Sequence, residues 1–424
     1  MEKDLKAVIL AAGKGTRMKS SLPKVMHEIF NKPLVARVLD SVIEAGAREN
    51  IVITGHKREI VDEYLAKNYP STVSVFQKEQ LGTGHAIKCA SEKIQNFKGN
   101  ILILCGDTPL ITSKSIQNIV KFHNENNADI TVVSAFFDEP YGYGRIVRDN
   151  ENNVSEIVEE KDATLEIKKI KEVNAGIYCI NWETTGKYID EIKNDNNQKE
   201  YYLTDLIKLA KKGSKKVCPY VLESADEIFG INSRKNLAEA ISIMKQRKLD
   251  ELMESGVTII DPMTTYISPE TEIEADTVIL PSVVIEGKNK IGKNCKIGPF
   301  AHLRGDCTIA DFVKIGNFVE LKKANVQSHT NICHLSYVGD STVGENVNIG
   351  AGTITANYDS RTKIKSQTVI KNKASIGSNS VIVAPVEIGE NALIGAGSVI
   401  TSDIKANSLG ITRAKQREIE NYVK

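Results

Sequence analysis

The chain has 424 residues, of which 26% are charged and 41% hydrophobic, enough for two or three domains with sizeable cores. Its formal net charge of +1 leaves no electrostatic case for nucleic acid or an anionic membrane as partner. No apolar run reaches the ~18 residues of a membrane span, and the start, "MEKDLKAVILAAGKG", lacks a signal-peptide h-region; seven scattered cysteines without a CxxC pair read as the reduced thiols of a cytoplasmic protein.

From residue 5 to about 230, short runs rich in Ile and Val alternate with polar helical stretches: "KAVILAA", "NIVITG", "TVSVFQ", "NILILCGD", "DITVVSAF", "GIYCI". The alternation predicts a Rossmann-like α/β domain with a mostly parallel sheet over residues 1–231. Right after the first predicted strand comes "LAAGKGTRM", Leu10 to Met18. Gly13 and Gly15 let a backbone approach a phosphate closely, and a following helix N-terminus favours the anion. The glycine spacing fits neither the dinucleotide fingerprint nor a P-loop, so a structural turn is the plain alternative. Arg17 and then Lys24, in "LPK", follow.

Together GxGTRM and LPK resemble the signature of the sugar-phosphate nucleotidyltransferases. Further segments agree: "QKEQLGTGHA" with Gln77, Gly82 and Thr83, "CGDTP" with Asp107, "YGYGRIV" with Gly144, "IVEEKDA" with Glu159, "VNAGIY" with Asn174 and "GINSR" with Asn232. Asp107 ends a predicted strand, where α/β sheets bind ligands. The resemblance implies that Asp107 and Asn232 hold Mg²⁺. It assigns Leu10, Ala11, Ala12, Gly13 and Lys24 to UTP and the UDP-sugar, and has Gln77, Gly82 and Thr83 read the base. Gly144, Glu159 and Asn174 would contact the amino-sugar. The implied reaction is attack of a sugar 1-phosphate oxygen on the α-phosphorus of a nucleoside triphosphate. The attacker is already an anion, so the barriers are charge repulsion and alignment, met by Mg²⁺, Arg17, Lys24 and backbone amides. A helix cap is the bland alternative for Asn232, and a solvated surface carboxylate for Glu159.

Residues 232–256 read as one amphipathic connecting helix, with Leu237, Ile241, Met244 and Leu252 at helical spacing, Ser233 or Asn232 as its cap and Gly256 as its stop. From 257 to 413 the period changes. Aliphatic residues recur every six positions from Ile267 to Leu321, and again from Ile370 to Ile400. Neither an α-helix nor a half-buried strand has that period; a hexapeptide repeat does, and it predicts a parallel β-helix with turns of Gly, Asn, Asp and Lys. The repeat resembles the left-handed β-helix of the hexapeptide acyltransferases, an exception to the right-handed crossover rule. The register breaks between Ile354 and Ile370, where "TANYDSRTKIKSQ" must leave the prism. Residues 414–424 are a polar tail.

The prism carries a second constellation: Arg304 in "FAHLRGD", Lys322 in "VELKKAN", His334 and Tyr337 in "CHLSYVGD", and Asn348, Ala351, Asn357 and Tyr358 in "VNIGAGTITANYD". In this motif order, residues 5 to 413 resemble the bacterial family of bifunctional N-acetylglucosamine-1-phosphate uridylyltransferases/glucosamine-1-phosphate acetyltransferases. The resemblance makes His334 the base that takes a proton from the glucosamine amine, which then attacks acetyl-CoA. It gives Arg304 and Lys322 the sugar's phosphate, and Tyr337, Asn348 and Lys363 its positioning. It lines the acetyl-CoA groove with Ala351, Asn357, Tyr358, Ser378, Ala396 and Arg413. The product would be UDP-N-acetylglucosamine, a precursor of peptidoglycan and lipopolysaccharide. The chain would be a homotrimer, with Asn357 and Tyr358 completing a neighbour's site because their loop lacks a partner in its own chain. His302 and His329 keep a structural reading.

Two other readings stay open: a single-activity nucleotidyltransferase whose prism only oligomerises, and a non-enzymatic assembly subunit with a degenerate transferase domain. Intact "GKGTRM", "LPK" and "GDTP" speak against the second, and His334, Lys322 and the "NYD" loop against the first. In the family pattern about two more coils precede "IGPF". Here Ile267 to Leu321 stay in register, so a loss of whole 18-residue coils is expected, with both activities retained and the two sites closer along the trimer axis. The stability cost of that loss is expected to be modest in a quasi-one-dimensional stack.

Overall fold

The computed structural model describes residues 4–422. It divides into two compact units, with the division at residues 241 and 242. That boundary falls inside a single helix, Arg234–Glu254, rather than at its start. The cap is Ser233, whose Oγ accepts from the Asn236 N–H at 3.2 Å. Asn232 is thereby left free of capping.

The first unit is built on a nine-stranded sheet. Its parallel part comprises β1 (Leu5–Ala11), β2 (Glu49–Thr54), β3 (Val73–Phe76), β4 (Asn100–Cys105), β5 (Ile130–Phe136) and, at the far edge, β9 (Val217–Val221). The hairpin of β6 (Arg145–Arg148) and β7 (Val154–Val158) precedes β8 (Glu172–Asn181). The order is β9-β5-β8-β4-β1-β2-β3, with β6 paired to β8 and β7 to β6. β8 runs antiparallel between β4 and β5, which makes the sheet mixed. β1 and β4 read as unbroken apolar runs because both sheet faces are covered, and two buried clusters lie on opposite faces. One contains Val38, Leu39 and Leu104; the other contains Ile87, Ile103 and Ile207.

The second unit is a three-faced parallel coil. One face stacks Ile267, Ile285, Leu303, Leu321 and Val338 in register. A second stacks Ile279, Ile297, Ile315, Ile332, Ile349, Ile376 and Ile394. The third stacks Ile273, Ile291, Ile309, Val326, Val343, Ile370 and Ile388. All are buried and belong to one core. Between Ile285 and Leu303 the coil is continuous, with Ile279 opposite Ile297 and Ile285 opposite Leu303.

Three expectations need correction. The register slips before Ile354: Ile309 pairs with Val326, and Leu321 with Val338, each 17 residues on. A one-residue loss therefore does not turn side chains outward. It is absorbed at a corner, where Lys323 and Asp340 take the left-handed conformation at φ 49° and 46°. Ile354 itself is 44% exposed, and Thr355 holds the inward position opposite Ile382. Nor are the turns only Gly, Asn, Asp and Lys. Phe300, Phe312, Phe318 and Leu335 also occupy left-handed corners, with φ of 47–59°. Phe300 stacks on Phe318 with centroids 5.3 Å apart, and Phe312 on His329 at 4.9 Å. Ring contact between successive coils offsets the backbone strain of a bulky residue at positive φ. All seven cysteines are free, and no helix among the described residues is long and apolar enough to cross a membrane.

Candidate active sites

In the first unit the carboxyl ends of β1 and β4 open onto two adjoining cavities, of about 280 and 220 Å³. Leu10, Ala11, Ala12, Gly13, Lys24, Gln77, Gly82 and Thr83 line the first. Gly144, Glu159 and Asn174 line the second. Asp107 lies on both, at the seam. Two larger hollows, of about 580 and 750 Å³, touch none of these residues.

Local structure explains the placement. A Cβ at Gly13 would meet nothing within 4 Å, so no protein atom requires a glycine there and the backbone lies open to a ligand. Gly15 is different: φ is 59°, and a Cβ would sit 2.6 Å from that of Lys24. Its absence lets Lys24 fold across the loop. The Lys24 ammonium pairs with Asp107 and donates to Asn232 Oδ1 at 3.1 Å. Arg17 donates to the same oxygen at 2.9 Å. The four polar residues singled out from sequence thus converge, although they are up to 215 positions apart. Gln77 is buried and donates to the Gly82 carbonyl at 3.1 Å, bracing the entry to the helix Thr83–Ile94.

In the second cavity Glu159 is half-buried rather than solvated. Burial pushes its carboxyl above the usual range, opposed by a 3.4 Å hydrogen bond from the Thr204 hydroxyl. Asn174 donates to Tyr178 Oη at 2.7 Å. Sequence reading passed over Cys105, Tyr143, Tyr178 and Thr204, all on this wall. Only Tyr178 left a signal, an i, i+4 spacing from Asn174 on one strand. Burial, with Asp107 and Glu159 nearby, pushes the Cys105 thiol up to about 12, so it lines the site as a neutral group.

Asp107 Oδ2 and Asn232 Oδ1 both accept from one ammonium, so two oxygens face one point. An oxygen-only pair with room for phosphate oxygens and waters suits Mg²⁺. The described residues contain no group of three or more His, Cys, Asp or Glu able to hold a metal, so any ion here leans on its substrate.

In the second unit Arg304 and Lys322 occupy equivalent positions on successive rungs, after the pairs His302–Glu320 and Leu303–Leu321. Arg304 Nη1 donates to Glu320 Oε1 at 2.9 Å. Tyr337 lies over Gly339, where a Cβ would fall 2.3 Å from its Oη. His334 is exposed at the end of its strand, and its carbonyl accepts from the Gly352 N–H at 3.3 Å. Ala351, Ser378 and Ala396 stack along one edge: the Ala351 carbonyl accepts from Asn379 N–H at 2.7 Å and the Ser378 carbonyl from Gly397 N–H at 2.8 Å. Arg413 Nη1 closes that edge on the Ala396 carbonyl at 2.9 Å. Asn348 is exposed on its rung, opposite Asn331. Lys363 is exposed in the excursion loop at φ 58°.

The loop does have a partner in its own chain, contrary to expectation. Asn357 is 8% exposed, and its Nδ2 donates to Asp340 and, at 3.4 Å, to Tyr337 Oη. A buried amide needs such acceptors, and the corner at Asp340 supplies one. Tyr358 remains 54% exposed.

Comparisons with known proteins match both units. Residues 6–225 match the nucleotidyl transferase family model, and residues 290–323 and 367–402 match the bacterial transferase hexapeptide model. The three-faced coil is accordingly a left-handed β-helix of hexapeptide repeats. The chain is 44% identical to a bifunctional protein GlmU of Carboxydothermus hydrogenoformans, over 99% of this chain and 100% of that one. It is 43% identical to one from Shouchella clausii and 44% to one from Geotalea daltonii, over 99% and 98% of this chain and 98% of each relative. A solved structure of UDP-glucose pyrophosphorylase complexed with UDP-glucose aligns at a TM-score of 0.48 and 20% identity, over 58% of this chain and 100% of that one. The Carboxydothermus alignment spans 453 positions against 424 residues here. With both proteins covered almost end to end, the shortening is internal.

Proposed function

This chain belongs to the bifunctional GlmU family, and on that premise we propose that the two constellations are its two active sites. It is a bifunctional enzyme of UDP-N-acetylglucosamine synthesis. It acetylates glucosamine 1-phosphate with acetyl-CoA, then transfers UMP from UTP to N-acetylglucosamine 1-phosphate. Uridylyl transfer falls to residues 1–231 and acetyl transfer to residues 257–413.

In the first unit the nucleotide takes the cavity over Gly13 and Gln77, and the amino-sugar the one beside Glu159 and Asn174. Their seam at Asp107 is where sugar phosphate and α-phosphate meet. Mg²⁺, when held by Asp107 and Asn232, neutralises phosphate charge there. Lys24 then exchanges its carboxylate partner for phosphate oxygens, and Arg17 adds a second fixed cation. Convergence of these four side chains at one point is the observation that carries this half.

In the second unit His334 takes the proton from the amine of glucosamine 1-phosphate. Its freedom from side-chain partners among the described residues leaves both ring nitrogens available. The amine attacks the thioester carbonyl, and the coenzyme leaves as thiolate. Arg304 and Lys322 hold the phosphate, with Tyr337, Asn348 and Lys363 positioning the sugar. The Ala351–Ser378–Ala396 edge offers carbonyls and flat backbone to acetyl-CoA.

This unit acts as a homotrimer in the cytoplasm. Phe300, Phe318 and Leu335, exposed at one corner of successive coils, give it an apolar ridge that a second copy covers, and exposed Tyr358 reaches a neighbour's site. The missing positions belong to coils lost upstream of Pro299, where the register is unbroken. Release of pyrophosphate and of coenzyme thiol, followed with each substrate pair, tests the whole reading. Thiol release absent with every amino-sugar phosphate leaves a prism that only oligomerises.

A further inference from the structure

We propose that Lys365 is a third cation of the sugar-phosphate site, closing on the acceptor's phosphate from the excursion loop opposite Arg304 and Lys322. The inference rests on the acetyltransferase reading above. Arg304 and Lys322 project from neighbouring rungs, about 4.8 Å apart in a parallel coil. The next rung in that column is Gly339, paired with Lys322 and carrying no side chain. The Tyr337 ring takes the space that a side chain at Gly339 would fill, with its hydroxyl at the edge above Lys322.

What folds over it is the loop. Asn357 is tied to Asp340 and Tyr337, and the Ser366 N–H returns to the Asn357 carbonyl at 2.9 Å. An antiparallel bridge joins Tyr358 to Lys365. These ties fold the Lys365 end of the loop back toward the rungs of Lys322 and Gly339, and the Lys365 charge is the first that Lys322 feels. Two like charges so placed hold their protons less firmly, and half-buried Lys322 is depressed by Lys365 first and by Arg304 second. Among the described residues neither lysine forms an ion pair with a carboxylate, and only Arg304 has one, with Glu320. Three converging cations of which one is neutralised suit a phosphate dianion, which accepts from several donors at once. Lys363 stands two residues away in the turn, where its N–H bonds the Asp359 carbonyl at 2.8 Å.

The test uses the full-length enzyme carrying Lys365→Gln, with Lys363→Gln and Lys365→Arg beside it. Thiol release is followed against glucosamine 1-phosphate, with inorganic phosphate as competing anion and uridylyl transfer as the measure of folded enzyme. Lys365→Gln should raise KM for the sugar phosphate about tenfold, the scale of one charge-assisted hydrogen bond, with kcat changed less than about threefold. Inhibition by inorganic phosphate should weaken by a similar factor, and Lys365→Arg should restore both. Unchanged KM and unchanged phosphate inhibition overturn the proposal. So does a fall in kcat that arginine fails to restore. If Arg304→Ala and His334→Ala also leave acetylation intact, the site itself is misplaced; if they abolish it while Lys365→Gln is silent, only the role of Lys365 falls.

Discussion

The two proposed sites would meet the same problem, holding a sugar phosphate beside an activated donor, on opposite kinds of scaffold. In the first unit the sheet creates a hollow by itself, because the ends of β1 and β4 and the loops after them surround a crevice. The Lys24 charge there is already paired with Asp107, and Arg17 is hydrogen-bonded to Asn232. In the second unit the coil is convex at every corner. His334, Arg304, Asn348, Tyr358 and Arg413 are all exposed, and of the cations only Arg304 is paired with a carboxylate, Glu320. A stacked coil has contacts only above and below, so any concavity within the chain has to come from its excursion loop. A domain that folds around its site encloses it; a prism leaves it on the surface.

The sharpest way to break that contrast is at His334. His334→Ala should lower acetyl transfer by roughly 10²–10⁴-fold and leave uridylyl transfer intact. Its residual rate should climb with pH as free amine replaces the base, and a flat profile would count against the assignment. Asp107→Asn should do the reverse. Uridylyl transfer should fall by about 10²-fold, the scale of losing one charge stabiliser, while thiol release continues. Parallel loss of both activities in folded protein would mean the sites are not separate.

Smaller effects sharpen the comparison. Gly339→Ala puts a methyl where the Tyr337 hydroxyl now lies, so acetyl transfer should drop ~10-fold or more through misplacement. An unchanged rate would show that Tyr337 moves freely. Inactive His334→Ala and inactive Tyr358→Ala subunits, mixed and reassembled, should regain part of the acetyl transfer if sites are built from two chains; no recovery in mixed trimers, or a fully active monomer on sedimentation, refutes the shared site.

The smallest effect belongs to the concave site. The Glu159 carboxyl is raised above its ordinary 4.5 by burial. Its favourable contribution is thus present below that value and lost as pH rises through the raised one. Glu159→Gln should therefore raise the melting temperature at pH 8 by on the order of 2 °C, with no gain near pH 4, while the sugar KM rises. Equal shifts at both pH values would remove the ionised carboxylate as the cause.

The β-helix was legible because a period of six admits one architecture, and burial of Ile267 through Leu321 needs nothing but stacking of like on like. The glycine loop was legible because Gly15 serves a local need, a positive φ beside Lys24. Tertiary structure decided what local pattern does not encode. Ser233 and Asn232 were equal candidates as helix cap until folding assigned Ser233 to the Asn236 N–H and turned Asn232 toward Lys24. The 17-residue coil was invisible because a residue lost at a corner is absorbed by φ at Lys323 rather than by the strands. Asn357 was expected to wait for a neighbour and instead finds Asp340. Lys365 looked like any loop lysine, since its charge matters only once Lys322 is beside it. Periodicity and turn chemistry are properties of adjacent residues and survive in the sequence; the approach of groups 40 or 200 positions apart is a property of the packed chain and appears only there.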